Sequence, residues 1–188
     1  MSSSGKKVIA IGTRLKKCRN VITLGLHTNF SDYNEEARAL IRQAEKIYYP
    51  TIFYADIFDA LGKAIFPSYH TYKWVQDKIK QTTFFELADI PHPITRIYYG
   101  RQKALENILR DFDFPFVAKI PRGSALGRGV YLIRSVEDLE QYTSDNNPAY
   151  IQQYIPADRD IRVVIIGHQV IHAYWRIGVP GEFRHNIA

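Results

Sequence analysis

Around Pro91 and Pro93 this sequence changes its pattern, and that change limits the folds open to it. Ahead of the prolines, short β-branched runs alternate with helical periodicity. Val8-Ile9-Ala10-Ile11-Gly12 and Val21-Ile22-Thr23-Leu24-Gly25 read as strands stopped by glycine. Ser31 or Asp32 is expected to cap a helix running through Gln43, with Glu35 and Glu36 in its first turn. Residues 46–49 read as a strand, 52–61 as a helix closed by Gly62, and 64–66 as a strand before Pro67. A long helix is expected over residues 69–88, with Tyr72, Val75 and Ile79 at helical spacing. Behind the prolines strand-like runs crowd together: 94–98, 114–120, 130–133, 150–155, 161–166 and 170–177. Two helices interrupt them, at 100–112 and at 136–143, the second opened by Ser135. Residues 144–148 read as a polar turn, and Gly167-His168 as a tight hairpin turn. The expected architecture is α/β in front and α+β behind, divided as residues 1–92 and 93–188.

Composition narrows the function classes. Hydrophobic residues make up 46% of the 188 and charged residues 23%, the balance of a globular chain with a core to bury. The net charge of +6 is scattered, with no run denser than Lys16-Lys17 between Arg14 and Arg19. A phosphodiester backbone calls for a denser stripe, so nucleic acid is not the expected partner. The single cysteine, Cys18, allows no disulfide within the chain and points to a reducing compartment. The polar start and the five-residue apolar run after it are too short for a signal core or a membrane span. A cytoplasmic location is therefore expected.

Three places could carry chemistry. Lys119 ends an apolar strand and is followed by Gly123-Ser124-Ala125-Leu126-Gly127-Arg128-Gly129. Phosphates need what such a segment offers, backbone N–H groups free of crowding side chains and a lysine to neutralise charge. The loop has neither the Gly-Lys-Ser/Thr ending of a Walker loop nor dinucleotide-fold spacing, and by itself it reads more readily as a hairpin with turn glycines. Gln152-Gln153-Tyr154-Ile155 could present backbone groups to a base edge, with Asp160 as acceptor for ribose hydroxyls. A solvated hairpin with a surface Asp–Arg pair is the plain alternative. Arg176, Arg184 and Asn186 suit a phosphoryl-transfer site, because guanidinium forks grip phosphoryl or carboxylate oxygens. His185 lies among them as a neighbour rather than a base.

Each signal is weak alone, but their order is specific. The succession Asp77-Lys78, Phe116-Val117-Ala118-Lys119, the glycine loop, Gln152-Gln153-Tyr154-Ile155, Asp160-Ile161-Arg162, Arg176 and Phe183-Arg184-His185-Asn186 resembles the RimK-type ATP-grasp ligases over residues 66–186. The resemblance implies an α/β pre-ATP-grasp domain over 1–92. Over 93–188 it implies an incomplete α+β ATP-grasp domain: the N-terminal subdomain and the start of the C-terminal one. It implies Lys78 and Lys119 on the ATP phosphates, with Gly123, Ser124, Gly127 and Gly129 in the flap above them. Gln152, Gln153, Tyr154 and Ile155 would line the adenine and Asp160 the ribose. Arg176, Arg184 and Asn186 would stand at the transferring phosphoryl group.

The implied activity is an ATP-dependent carboxylate–amine ligase working through an acyl phosphate, adding an amino acid such as glutamate. Its partners would be ATP and a small carboxylate or amine substrate, or a peptide acceptor; self-association is left open. Two departures stand out. Gln153 occupies a position where the family usually has glutamate. The family's magnesium ligands should follow Asn186, where only Ile187 and Ala188 remain. Magnesium is thus expected only in a complete protein, with no ligands in this chain, which as it stands should turn over poorly. The alternative is a non-catalytic module that holds ATP or ADP without the metal site.

Overall fold

The computed structural model describes residues 8–75, 77–124 and 128–178. The chain falls into two compact units that part between Val75 and residue 76.

In the first unit strands and helices alternate as expected: β1 Val8–Ala10, β2 Val21–Thr23, α1 Glu35–Gln43, β3 Lys46–Tyr48, α2 Thr51–Ala60, β4 Ala64–Phe66 and α3 Tyr69–Val75. The sheet runs β2-β1-β3-β4, all parallel. Ile11, Tyr33, Ile41, Ile47, Tyr54 and Phe58 form its core. Asn34, not Ser31 or Asp32, caps α1, its side chain accepting from Ala37 N at 2.8 Å. A 3-10 turn over Phe30–Asp32 precedes it and sets Tyr33 into the core, which delays the helix.

The second unit holds α4 Lys78–Leu87, β5 Thr95–Tyr98, α5 Arg101–Asp111, β6 Phe116–Lys119, β7 Val130–Ile133, α6 Val136–Asp145, β8 Ala149–Gln153, β9 Arg159–Ile166 and β10 Gln169–Ile177. The single long helix expected over 69–88 is two helices. Asp77 is extended, bridges to Arg122, and caps α4 by accepting from Lys80 N at 3.1 Å. The division therefore falls ahead of the expected cut at 92/93, because α4 is tied to β-structure behind it. Lys78 N donates to Pro121 O at 2.9 Å, and the Thr82 and Tyr150 hydroxyls lie 2.6 Å apart.

Strands β5-β8-β6-β7 make one antiparallel sheet. Side chains alternate across it. One face carries Tyr98, Phe116, Ala118, Ile133, Ala149 and Ile151, which pack with Ala104 and Ile108 of α5 and Leu139 and Tyr142 of α6. Ile108, Phe116, Ile133, Leu139 and Ile151 are fully buried, each contributing about 1.5–3 kcal/mol. The register puts Thr95, Val117, Lys119, Tyr150 and Gln152 on the opposite face. Strands β9 and β10 form a separate antiparallel ribbon turned at Gly167, whose φ is +64°. Among the described residues no helix is long and apolar enough to cross a membrane.

Candidate nucleotide site

Lys119 closes β6 on the face of the sheet away from α5 and α6. Its Nζ donates to Gln152 Oε1 at 2.6 Å, and Gln152 Nε2 donates to Thr95 Oγ1 at 2.7 Å. Burial draws the Lys119 ammonium below the usual lysine range, and the charge of Lys78 lowers it further. Tyr142 of α6 fixes the strand beneath: its hydroxyl donates to Lys119 O at 2.6 Å and accepts from Tyr150 N at 3.0 Å.

Lys78, at the first turn of α4, reaches the flap. Its Nζ donates to Ile120 O and to Ser124 Oγ, both at 2.8 Å. Burial lowers this ammonium too, with Asp77 beside it acting in the opposite sense. The flap base is closed by Ile120 N donating to Gly129 O at 2.8 Å and by Arg122 paired with Asp77 at 2.9 Å. Gly123 and Gly129 both take left-handed backbone, φ +70° and +68°. Among the described residues neither ammonium is in an ion pair with a carboxylate: they donate to amide, hydroxyl and carbonyl oxygens. Two partly desolvated cations held by neutral oxygens beside left-handed glycines have the chemistry to attract a polyanion.

The fold thus brings Lys78, Lys119, Ser124 and Gln152 together, with Gly123 and Gly129 shaping the loop. Others take no part in these contacts. Gln153 points to the opposite face from Gln152, donating its backbone N–H to Ile94 O at 2.8 Å. There it borders a cavity of about 350 Å³ with Ile94, Phe112, Phe116 and Tyr154. Strand β8 ends at Gln153, so Tyr154 and Ile155 lie past the strand rather than in it, and Ile155 is exposed. Asp160 and Arg176 face each other across the β9–β10 ribbon in a bidentate pair, Nε to Oδ1 at 2.6 Å and Nη2 to Oδ2 at 2.9 Å. Gly127, Arg184 and Asn186 lie outside the described residues. Sequence reasoning gave no role to Thr95, Arg122, Tyr142 or Tyr150. Their parts depend on strand register between distant segments, which no local pattern shows.

A family model described as the RimK-like ATP-grasp domain matches residues 75–188. Beta-citrylglutamate synthase B of Mus musculus is 32% identical over 113 residues, 55% of this chain and 29% of that protein. A probable alpha-L-glutamate ligase of Rhodopirellula baltica is 30% identical over 118 residues, 60% of this chain and 29% of that protein. A glutamate–LysW ligase of Sulfurisphaera tokodaii is 30% identical over 149 residues, 74% of this chain and 52% of that protein. The chain therefore spans from under a third to about half of these curated relatives. In fold it is similar to a crystal structure of a RimK-domain ATP-grasp protein from Sphaerobacter thermophilus: TM-score 0.69 at 17% identity, over 90% of this chain and 72% of that one.

Proposed function

Because the chain belongs to the RimK-like ATP-grasp family, we propose that it holds ATP on the Lys78–Lys119 face of its four-stranded sheet and serves an ATP-dependent carboxylate–amine ligase. The observation that carries this is the pair of ammonium groups without carboxylate partners among the described residues, set at the base of a glycine-bearing flap. In this reading Lys78 and Lys119 neutralise the phosphates and residues 123–129 cover them. Residues 152–155 line the adenine, chiefly through backbone groups past the end of β8. Asp160 holds the ribose, exchanging part of its pairing with Arg176 for the sugar hydroxyls. Arg176, Arg184 and Asn186 stabilise the transferring phosphoryl group: ATP gives its γ-phosphoryl group to a carboxylate and leaves as ADP, and an amine then attacks the acyl phosphate, forming the amide and expelling phosphate. An amino acid such as glutamate fits as a reactant, since the relatives include proteins named glutamate ligases. Among the described residues no group of carboxylate, histidine and cysteine side chains fits a divalent ion, and no step here runs through one.

Titration calorimetry of the chain with ATP tests the reading. Lys119→Ala is expected to weaken binding on the order of 10- to 100-fold, the worth of hydrogen bonds to a charged group. Asp160→Ala should weaken it more mildly. ATP affinity untouched by Lys119→Ala overturns the site. ATP binding without ADP release in the full-length protein, across a screen of carboxylates and amines, would instead mark a nucleotide-holding module.

A further inference from the structure

A buried hydroxyl lies two hydrogen bonds behind Lys119. Thr95 is on β5, directly opposite Gln152 of β8, and Gln152 is opposite Val117 of β6, two residues before Lys119 on the same face. Thr95 is buried, 8% exposed. Its hydroxyl proton goes to Pro93 O at 2.8 Å, so toward Gln152 it can only accept. A primary amide that turns its nitrogen to one partner turns its oxygen to the other. The Gln152 oxygen is thereby fixed on the Lys119 ammonium at 2.6 Å. Donation runs one way along the whole chain, from Lys119 to Gln152 to Thr95 to Pro93 O, and each bond polarises the next.

Resting on the nucleotide reading above, we propose that Thr95 and Gln152 form a positioning relay that holds Lys119 against a neutral acceptor, leaving its whole charge for an incoming phosphate. A flipped amide would set an NH2 group against the ammonium. A carboxylate at position 152 would hold the lysine in place but neutralise it. The charged and titratable groups around the ammonium are consistent with this arrangement. Lys78 on α4 adds like charge, and the cross-strand neighbour Tyr150 has its phenol pushed up by burial, away from the anionic form.

Calorimetry with ATP and with adenosine on the whole chain tests the relay. Gln152→Glu should weaken ATP about tenfold and adenosine much less, because the ion pair it creates must give way to the phosphate and not to the base. Thr95→Val should weaken ATP severalfold by freeing the amide to turn, and Thr95→Ser, which keeps the hydroxyl, should restore it. Thermal melts establish that each variant is folded; should Thr95→Val not fold, Gln152→Glu and Thr95→Ser still decide the matter. A pH series separates positioning from general damage. ATP affinity of the unaltered chain should fall as pH rises through the lowered lysine range, and in Gln152→Glu that fall should move to higher pH. ATP affinity and pH profile unchanged in Gln152→Glu overturn the relay alone. No ATP binding by the unaltered chain overturns the nucleotide reading and the relay with it.

Discussion

A Cβ on Gly129 would come within 2.7 Å of Ile120 Cδ1 and 2.9 Å of Ile120 Cβ, and φ there is +68°. Gly123, at φ +70°, has nothing within 4 Å of the same added atom. The two glycines therefore serve the loop differently. Gly123 supplies a backbone conformation, whereas Gly129 also supplies room where the loop closes on the residue after Lys119. Gly123→Ala should cost about 1–2 kcal/mol, the left-handed penalty alone. Gly129→Ala should add about 1–3 kcal/mol of overpacking, because the clash reaches the Ile120 Cβ and not only its movable tip. Urea unfolding of both variants checks this, and equal losses would show that space at Gly129 is not what demands glycine.

At the scale of elements the decisive feature is the break between α3 and α4. Asp77 does three things there: it caps α4, bridges to Arg122 of the flap base, and sets the start of the helix that presents Lys78. Burial would raise its carboxyl, but the Arg122 hydrogen bond, the backbone N–H groups of Lys80 and Ile79 and the Arg122 charge hold it below the usual aspartate range. Its contribution is accordingly present above the ordinary aspartate pKa and lost as pH falls through the lowered value. Asp77→Ala should cost about 0.5–2 kcal/mol through the lost cap. Asp77→Asn, which can still cap, should recover much of that loss but not the pairing with Arg122. Denaturation at neutral pH measures both, and an alanine variant as stable as the original would count against the cap.

Asp77 also shows how far the sequence could be read. The apolar positions Tyr72, Val75 and Ile79 keep helical spacing straight through the break, so periodicity predicts one helix. What stops it is a bridge to Arg122, a contact between distant segments. The strands themselves, the hairpin at Gly167-His168, the antiparallel β6–β7 pair and the Ser135 cap of α6 were all legible, because each rests on neighbours in the chain. Lys119 was legible for the same reason, as the polar end of an apolar strand beside glycines. Its partners were not. Gln152 and Thr95 reach it through the register of β5, β8 and β6, and the alternation that turns Gln153 to the other face appears once the strand's buried side is known.

Over the whole molecule, buried and half-buried tyrosines set the response to alkali. Tyr33, Tyr54 and Tyr72 in the first unit and Tyr98, Tyr142 and Tyr150 in the second are all raised above the ordinary value of 10.0, in each case first by burial. Tyr98, which donates to Asp111 at 3.0 Å, and Tyr142, beneath Lys119, are pushed up to about 12. The unfolded chain gives up these protons first, so between the ordinary and the raised values it binds fewer protons than the folded chain, and stability falls as pH rises. Lys78 and Lys119 act in the opposite sense, since their lowered values make the unfolded chain the better proton binder until the ordinary lysine range is passed. Two lysines stand against six tyrosines, and the lysine gain ends near where the tyrosine loss begins. The urea midpoint should hold or rise slightly up to the ordinary tyrosine range and then drop steeply toward pH 12. Tyr98→Phe should make that drop shallower while leaving Lys119 and its strand untouched. A midpoint that stays level through the alkaline range would mean that these phenols ionise in the folded chain as they do in water, contrary to their burial.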